Sequence, residues 1–263
     1  MRETVIKDLS FSYPGMDKLV LKDINMDVAE GEFVSILGQS GCGKSTLLRL
    51  LAGLEKQTSG EILIDGKPFS GPSLSRGVVF QDYGLFPWMT AGENIMLALR
   101  QRFPERAKKA LREVAVNMLQ SVCLDKGVYN NIPKELSGGM KQRCAIARAF
   151  GIDPPILLMD EPFGALDAVT RARLQDMVLE LWRKQEPKKT VFFVTHDVDE
   201  AILLSTKIFV LGQSPSNVIF SCDIPSDGRP TRETQFDDPK FLNLRNTLIR
   251  YINQDVASRI SCA

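Results

Sequence analysis

The fold of this chain is decided by the stretch Phe33-Val-Ser-Ile-Leu-Gly-Gln-Ser-Gly-Cys-Gly-Lys-Ser-Thr46. An apolar run comes first, a turn with three glycines follows, and the stretch ends on residues that suit the first turn of a helix. Glycine adopts positive φ at little cost and lets the backbone approach a ligand closely. The stretch therefore predicts a strand, a loop whose N–H groups can converge on one point, and a helix in direct succession.

The spacing within this loop is that of the Walker A phosphate loop, because Gly38 and Gly43 bracket four residues and are followed by Lys44 and Ser45. In such a loop Lys44 would reach the β- and γ-phosphates of a nucleotide, and the Ser45 hydroxyl would bind magnesium. The alternative is a glycine-rich turn that binds nothing, which the strand-loop-helix context disfavours. We predict that the whole loop binds nucleotide, through Gly38, Gln39, Ser40, Gly41, Cys42, Gly43, Lys44, Ser45 and Thr46.

The composition bounds the function classes. With 263 residues, 44% of them hydrophobic, the chain can form one large domain or one domain with appendages. The formal net charge is only +1, so no basic face is indicated and nucleic acid is not expected as a partner. The five cysteines are scattered, which argues against a disulfide framework or a zinc site and fits a reducing cytosol. No segment approaches the roughly 20 apolar residues that span a bilayer, so we expect docking at a membrane only through a partner.

Hydrophobic patterning predicts an α/β fold. Residues 9–13 and 24–28 alternate between apolar and polar, which is typical of half-buried antiparallel strands, and a third such strand is predicted at 61–64. Continuous apolar runs predict strands of a mostly parallel central sheet, buried on both faces, at 77–80, 156–159, 191–194 and 208–211.

The predicted domain boundaries follow from this pattern. A helical stripe at three- and four-residue spacing predicts a helical subdomain at about 82–155, inserted in a nucleotide-binding domain of residues 1–220. Residues 221–263 are predicted to form a C-terminal extension. It would begin within an irregular connection that runs from about 213 to 239 and end in a helix whose apolar face is Phe241, Leu244, Leu248 and Tyr251/Ile252.

Polar residues follow three of the predicted parallel strands, and the carboxyl ends of such strands are where ligands bind. Gln81 follows the first, Asp160 and Glu161 the second, and His196 the third. Two adjacent carboxylates would repel each other without a cation nearby, so a bound metal ion explains that pair better than packing does. A lone histidine is often structural, but the position of His196 at this edge favours a functional role.

A second informative stretch is Leu136-Ser-Gly-Gly-Met-Lys-Gln142. Ser137 is a good helix N-cap, and the two glycines expose the first N–H groups of the helix that follows. At this point the chain resembles the ATP-binding cassette family. The stretch is similar to that family's signature motif, with Met140 where glutamine is common. The resemblance extends from about residue 4 to 220, with every expected element in the family's order.

The resemblance implies roles for individual residues. Glu161 resembles the general base, and Asp160 the aspartate that holds magnesium through water. Gln81 resembles the glutamine that contacts magnesium and the attacking water, so the implied metal site is Ser45, Gln81 and Asp160. His196 resembles the histidine that hydrogen-bonds the γ-phosphate.

Other implied roles concern the nucleotide and the dimer. Tyr13 resembles the aromatic residue that stacks on adenine, although a core tyrosine is the alternative. The segment Ala165-Leu-Asp167 is similar to the family's D-loop at the dimer interface. One phosphate loop and one signature motif per chain imply a head-to-tail homodimer with two ATP molecules, each capped by the Ser137, Gly138 and Gly139 of the other copy.

Three further stretches, at 84–90, 162–171 and 209–215, resemble the ATPase subunits of bacterial importers for nitrate, sulfonates, taurine and related solutes. That resemblance implies a peripheral chain on the cytoplasmic face of a transmembrane permease, fed by an extracytoplasmic solute-binding protein. Phe86 and Trp88 would then help to receive the permease, or else pack inward. The alternatives are an exporter ATPase, a cassette ATPase of DNA repair or translation, and a nucleotide kinase. The sequence leaves the solute open.

Overall fold

The computed structural model describes residues 3–69, 71–164, 166–225 and 228–260. The chain forms two compact units, Met1–Pro72 with Thr190–Ala263 and Ser73–Lys189. The strands are β1 (Thr4–Phe11), β2 (Leu21–Val28), β3 (Phe33–Leu37), β4 (Ser59–Ile64), β5 (Lys67–Pro68), β6 (Arg76–Val79), β7 (Ile156–Asp160), β8 (Thr190–Thr195), β9 (Lys207–Leu211) and β10 (Val218–Asp223). The helices are α1 (Lys44–Ala52), α2 (Ala91–Arg102), α3 (Lys108–Ser121), α4 (Gly138–Gly151), α5 (Ala168–Arg183), α6 (Val198–Leu204) and α7 (Pro239–Ile260), with short 3₁₀ segments at Lys126–Asn130 and Pro133–Glu135.

The first unit contains the predicted antiparallel layer, with strand order β2-β1-β4-β5. In β2 the apolar residues Ile24, Met26 and Val28 are buried, whereas the intervening polar residues are exposed. The turn after β4 has positive φ at Asp65 and Gly66, as the aspartate-glycine pair predicts. The period-two pattern therefore placed this layer correctly.

The same unit holds a second set of strands in the order β10-β9-β3-β8. β3 pairs in parallel with β8 and β9, and every residue of β3 and β8 is buried. Leu37, at the end of β3, lies opposite Thr195 on one side and Val210 on the other. This register brings the residue after β3 and the residue after β8 to the same sheet edge.

One strand of this set contradicts the sequence prediction. The connection from 213 to 239 was predicted to be irregular, yet β10 lies within it and pairs antiparallel with β9. Its residues are only partly buried or exposed, so the strand lacks the continuous apolar run that identified its neighbours. An antiparallel strand covered mainly on one side needs no such run.

Helix α7 covers this part of the first unit. Phe241 and Leu248 are buried in one apolar cluster with residues of β3, α6 and β9, and Leu244 and Ile252 pack against it. The predicted apolar face of the last helix is therefore confirmed. The ring of Tyr251 stacks on Phe220 of β10, with 4.4 Å between the centroids.

The second unit contains β6 and β7, which pair in parallel with Val79 opposite Met159. Helices α2, α3 and α4 pack against one another, and the face of α3 that carries Leu111, Ala115 and Leu119 is buried. Among the described residues, no helix is long and apolar enough to cross a membrane. The boundaries predicted for the domain, its helical insertion and its C-terminal extension remain predictions.

Candidate functional site

The phosphate loop occupies the turn between β3 and α1. Gly43 caps α1 with φ 101° and has no side chain to cover the helix N-terminus. A Cβ on Gly43 would meet Leu21 Cδ2 at 2.8 Å, and one on Gly38 would meet the Leu211 carbonyl oxygen at 2.9 Å. Gly41 also has positive φ, at 80°, but faces open space. Close packing therefore favours glycine at both Gly43 and Gly38, and the positive φ favours it further at Gly43.

Lys44 turns its side chain back over this loop. Its ammonium Nζ donates to the carbonyl oxygens of Gly38 and Gln39, both at 2.9 Å, and the residue is only 4% exposed. A charge held this deeply in a glycine-rich loop is suited to meet phosphate oxygens. Gln39 and Ser40 are exposed, and Ser45 is half-buried in the first turn of α1.

Tyr13 lies beside the first turn of α1. Its hydroxyl is 3.0 Å from the hydroxyl of the buried Thr46, and its ring meets Phe11 edge-on at 4.9 Å between centroids. The residue is half-buried, just beyond the end of β1. The structure thus places Tyr13 next to the phosphate loop, and adenine stacking stays a prediction.

The turn between β9 and β10, residues 212–217, supports the phosphate loop from a side that the sequence did not indicate. The buried Ser216 hydroxyl donates to the Cys42 carbonyl oxygen, and Gln213 Nε2 donates to Gln39 Oε1 at 3.2 Å. Burial raises the pKa of the Cys42 thiol, which Lys44 opposes, so this cysteine is a packed, protonated part of the loop. A serine and a glutamine in a loop carry no periodic signal, and their role is visible only in three dimensions.

His196 follows β8 at the same sheet edge and is exposed. The adjacent Thr195 hydroxyl donates to the buried carboxylate of Glu200 at 2.7 Å and accepts the N–H of Asp197. Asp197 in turn caps α6. A cavity of about 450 Å³ is lined by the loop residues Gly38, Gln39 and Ser40, by His196 and Val198, and by Ile249, Ile252 and Asn253 of α7. In the first unit, the phosphate loop and His196, the predicted γ-phosphate histidine, therefore line the same cavity.

In the second unit, the parallel pairing of β6 and β7 brings Gln81 to the same edge as Asp160 and Glu161. Gln81 is exposed, Asp160 ends β7 at 8% exposure, and Glu161 is half-buried. Glu161 has φ 41°, a left-handed conformation that is strained for any residue with a Cβ. Such strain at a titratable residue is a common feature of functional sites.

The segment after Gln81 is held on both sides. The Arg148 guanidinium on α4 donates to the carbonyl oxygens of Gly84 and Tyr83, and burial lowers the pKa of Arg148. The buried side chain of Asn94 accepts the N–H of Phe86 at 2.8 Å and donates to the Thr90 carbonyl oxygen at 3.0 Å. This backbone is therefore fixed.

The fixed segment nevertheless carries outward-facing aromatic rings. Phe86 is 39% exposed and Trp88 72% exposed, with 5.5 Å between their ring centroids. The alternative of inward packing is wrong for Trp88.

The signature stretch opens α4. Ser137 caps the helix, and its Oγ accepts the N–H of Met140 at 3.3 Å. Ser137 and Gly138 are exposed and Gly139 is half-buried. A Cβ on Gly139 would meet Thr170 Cγ2 at 3.0 Å, so glycine is favoured there by packing against α5.

Asp167 caps α5, and its Oδ1 accepts the N–H groups of Val169 and Thr170 at 3.1 and 3.0 Å. The hydrogen bonds from Thr170 hold the pKa of this exposed carboxyl below its usual range. Ala165, in the same predicted D-loop, lies outside the described residues. A capping role alone explains the conformation of Asp167, and its role at a dimer interface stays a prediction.

No group of three or more His, Cys, Asp or Glu side chains in the described parts of the chain could hold a metal ion. The predicted magnesium ligands are a hydroxyl, an amide and one carboxylate, a set of this composition that typically leaves other positions to water and phosphate. Ser45 belongs to the first unit, and Gln81 and Asp160 belong to the second.

Comparisons with known proteins agree with this arrangement. The family described as ABC transporter matches residues 21–164. The nitrate import ATP-binding protein NrtD of Synechococcus elongatus is 41% identical over 92% of this chain and 88% of that protein. The bicarbonate transport ATP-binding protein CmpC of the same species is 42% identical over 95% of this chain and 38% of that protein.

Among solved structures, the ATP-binding cassette MJ0796, in a dimeric post-hydrolysis state bound to ADP and Pi, superposes with a TM-score of 0.76. It is 33% identical, and the match covers 85% of this chain and 99% of that one. The predicted fold class, a P-loop NTPase with a mostly parallel sheet and an N-terminal antiparallel layer, is confirmed. The chain belongs to the ATP-binding cassette family and is an ABC ATPase.

Proposed function

We propose that this chain is the ATPase subunit of an importer, which hydrolyses ATP to drive uptake of a small solute through a separate permease. The observation that carries the proposal is the phosphate loop. Lys44 is buried against the carbonyl oxygens of this loop, and Gly38, Gln39 and Ser40 of the loop line one cavity together with His196. The importer assignment is supported by relatives that are named for nitrate import and bicarbonate transport. We propose a small solute of the nitrate, sulfonate or taurine type.

The residues present fit ATP with magnesium. The α1 N-terminus opens on a glycine, so its dipole and first amides can face phosphate without an intervening side chain. Ser45, Gln81 and Asp160 would supply the oxygen ligands that magnesium prefers. When bound, magnesium neutralises charge on the phosphate oxygens.

In ATP hydrolysis these side chains would mainly position the reacting groups and neutralise charge. Lys44 would bind the β- and γ-phosphate oxygens, and His196 would donate a hydrogen bond to the γ-phosphate. Glu161 would accept the proton of the attacking water, which Gln81 orients. Tyr13 would hold the adenine.

We further propose that the chain works as a head-to-tail homodimer. Ser137 and Gly138 are exposed at the N-terminus of α4, where they can donate to the γ-phosphate of an ATP bound by a second copy. Asp167 would lie at the same interface. The dimeric state of the similar cassette MJ0796 supports this assembly.

The permease is proposed to dock on the exposed rings of Phe86 and Trp88. Both rings lie in the segment that follows Gln81, whose backbone is held by hydrogen bonds to Arg148 and Asn94. Large aromatic side chains on a rigid loop are typical interface anchors. The chain would then sit peripherally at the cytoplasmic face of the membrane and respond to an extracytoplasmic solute-binding protein through the permease.

The test is the magnesium-dependent ATPase rate of Glu161→Gln, with Glu113→Gln, an exposed carboxylate on α3, as the matched control. Loss of a general base costs about 10²–10⁴-fold in turnover, whereas nucleotide binding should be retained. A Glu161→Gln rate within about threefold of wild type would show that Glu161 does not take the proton. Uptake of labelled nitrate, taurine or bicarbonate into vesicles that hold the whole transporter would then identify the solute class.

A further inference from the structure

Asp255, near the end of α7, contacts the turn at 212–217. Its Oδ2 accepts the backbone N–H of Gln213 at 2.7 Å. A Cβ on Gly212 would lie 2.9 Å from Asp255 Oδ1, so the carboxylate sits tightly against the backbone of this turn. The distance and crowding indicate a close and specific contact.

The turn that Asp255 holds is the one that supports the phosphate loop. Gln213 uses its backbone N–H for Asp255 and its side-chain Nε2 for Gln39. Ser216, three residues on, donates to the Cys42 carbonyl oxygen. A continuous chain of hydrogen bonds therefore runs from α7 through Gln213 to the loop that would bind the phosphates.

Helix α7 is a firm base for this contact, because it is anchored independently of Asp255. Arg245 Nε lies 2.7 Å from the Asp199 carboxylate on α6. Tyr251 stacks on Phe220, and Phe241 and Leu248 are buried. Ile249 and Ile252 also line the cavity in front of the phosphate loop.

The charge of Asp255 reaches the loop as well. After burial, which is the main cause, the negative charge of Asp255 also raises the pKa of the Cys42 thiol. A carboxylate so near a triphosphate site opposes phosphate binding by charge alone. The carboxylate therefore favours ATP binding only if its hydrogen bond to the turn stabilises the site more than its charge weakens phosphate binding.

We infer that Asp255 is a positioning residue of the nucleotide site, which fixes the phosphate loop through Gln213 from outside the catalytic machinery. The inference rests on the proposed function of that loop. It extends the nucleotide site to the C-terminal helix, so that α7 supports ATP binding as well as completing the apolar core.

The experiment uses the full chain and measures ATP affinity, KM, kcat and thermal stability. Asp255→Ala should weaken ATP binding and raise KM about three- to tenfold, the size of one lost hydrogen bond, with kcat within about twofold. Asp255→Asn should restore KM to within about twofold of wild type, since its amide oxygen can accept the same N–H. Combining Asp255→Ala with Gln213→Ala should add little, because both changes break the same chain.

Tyr251→Ala is the matched control, because it loosens α7 one turn earlier without touching the turn at 212–217. If Tyr251→Ala raises KM as much as Asp255→Ala, the effect is general loosening of the helix and the inference fails. It also fails if Asp255→Asn binds ATP more tightly than wild type, which is the signature of charge alone. Lys44→Ala tests the proposed nucleotide site itself: if this variant still binds ATP normally, the proposed function of the loop is wrong.

Discussion

Two helices of this protein begin on glycine-rich turns, and the two turns are built differently. α1 opens on Gly43 in a left-handed conformation, and the lysine that follows is buried and bonded to the loop. α4 opens on Ser137, whose hydroxyl caps the helix, and the glycine that follows is exposed.

The contrast distinguishes a preformed phosphate site from a surface that needs a second copy to complete a site. The loop before α1 is enclosed by β3, by the turn at 212–217 and by its own lysine, so it offers phosphate a preformed cradle. The turn before α4 is capped by Ser137 and exposed, which suits a surface that meets a ligand held by another molecule.

The largest effect is expected at Gly43. Gly43→Ala combines left-handed strain with a clash against Leu21, and should lower the free energy of unfolding by about 2–5 kcal/mol. Gly41→Ala has the same kind of strain but open space around it, and should cost only about 1–2 kcal/mol. Urea unfolding of the two variants measures the difference. Equal losses would mean that the loop is not packed as described.

A smaller effect is expected at Ser137, on the rate of ATP hydrolysis and not on folding stability. Ser137→Asp keeps a good helix cap but places a negative charge where phosphate should bind, and should lower ATP turnover about 10²-fold. Ser137→Asn keeps the cap without the charge and is the matched control, expected within about threefold of wild type. Steady-state rates decide between them. If both variants are equally active, the α4 N-terminus does not meet phosphate.

The smallest effect on stability is expected at Trp88, one of the two tryptophans of the chain. Trp88→Ala should change the free energy of unfolding by less than about 0.5 kcal/mol, because the ring is exposed. Trp182→Ala, which empties a buried site, should cost about 3–5 kcal/mol.

The same Trp88→Ala variant should weaken the binding free energy with the permease by about 2 kcal/mol or more, which is seen as reduced co-purification. If a stable Trp88→Ala subunit binds the permease normally, Trp88 does not take part in docking.

These regions also show how far sequence reasoning reaches. The phosphate loop, the strand ends and the apolar face of α7 follow from glycine spacing and periodicity, which are local properties. β10 was missed because its burial is partial and its pairing partner lies in another segment. Gln213, Ser216 and Asp255 were missed as neighbours of the phosphate loop, because their hydrogen bonds join segments more than 40 residues apart. The strained φ of Glu161 is likewise set by tertiary structure.

The most direct test of a nucleotide site shared between two copies mixes two strongly impaired variants, Lys44→Ala, with a disabled phosphate loop, and Ser137→Asp, with a disabled signature motif. If each signature serves the phosphate loop of the other copy, a mixed dimer contains one intact site. Random pairing in a two-fold symmetric dimer should then restore about a quarter of the wild-type ATPase rate. A rate no higher than that of the two variants measured separately would show that the two motifs do not complement each other between copies and that the proposed head-to-tail dimer is wrong.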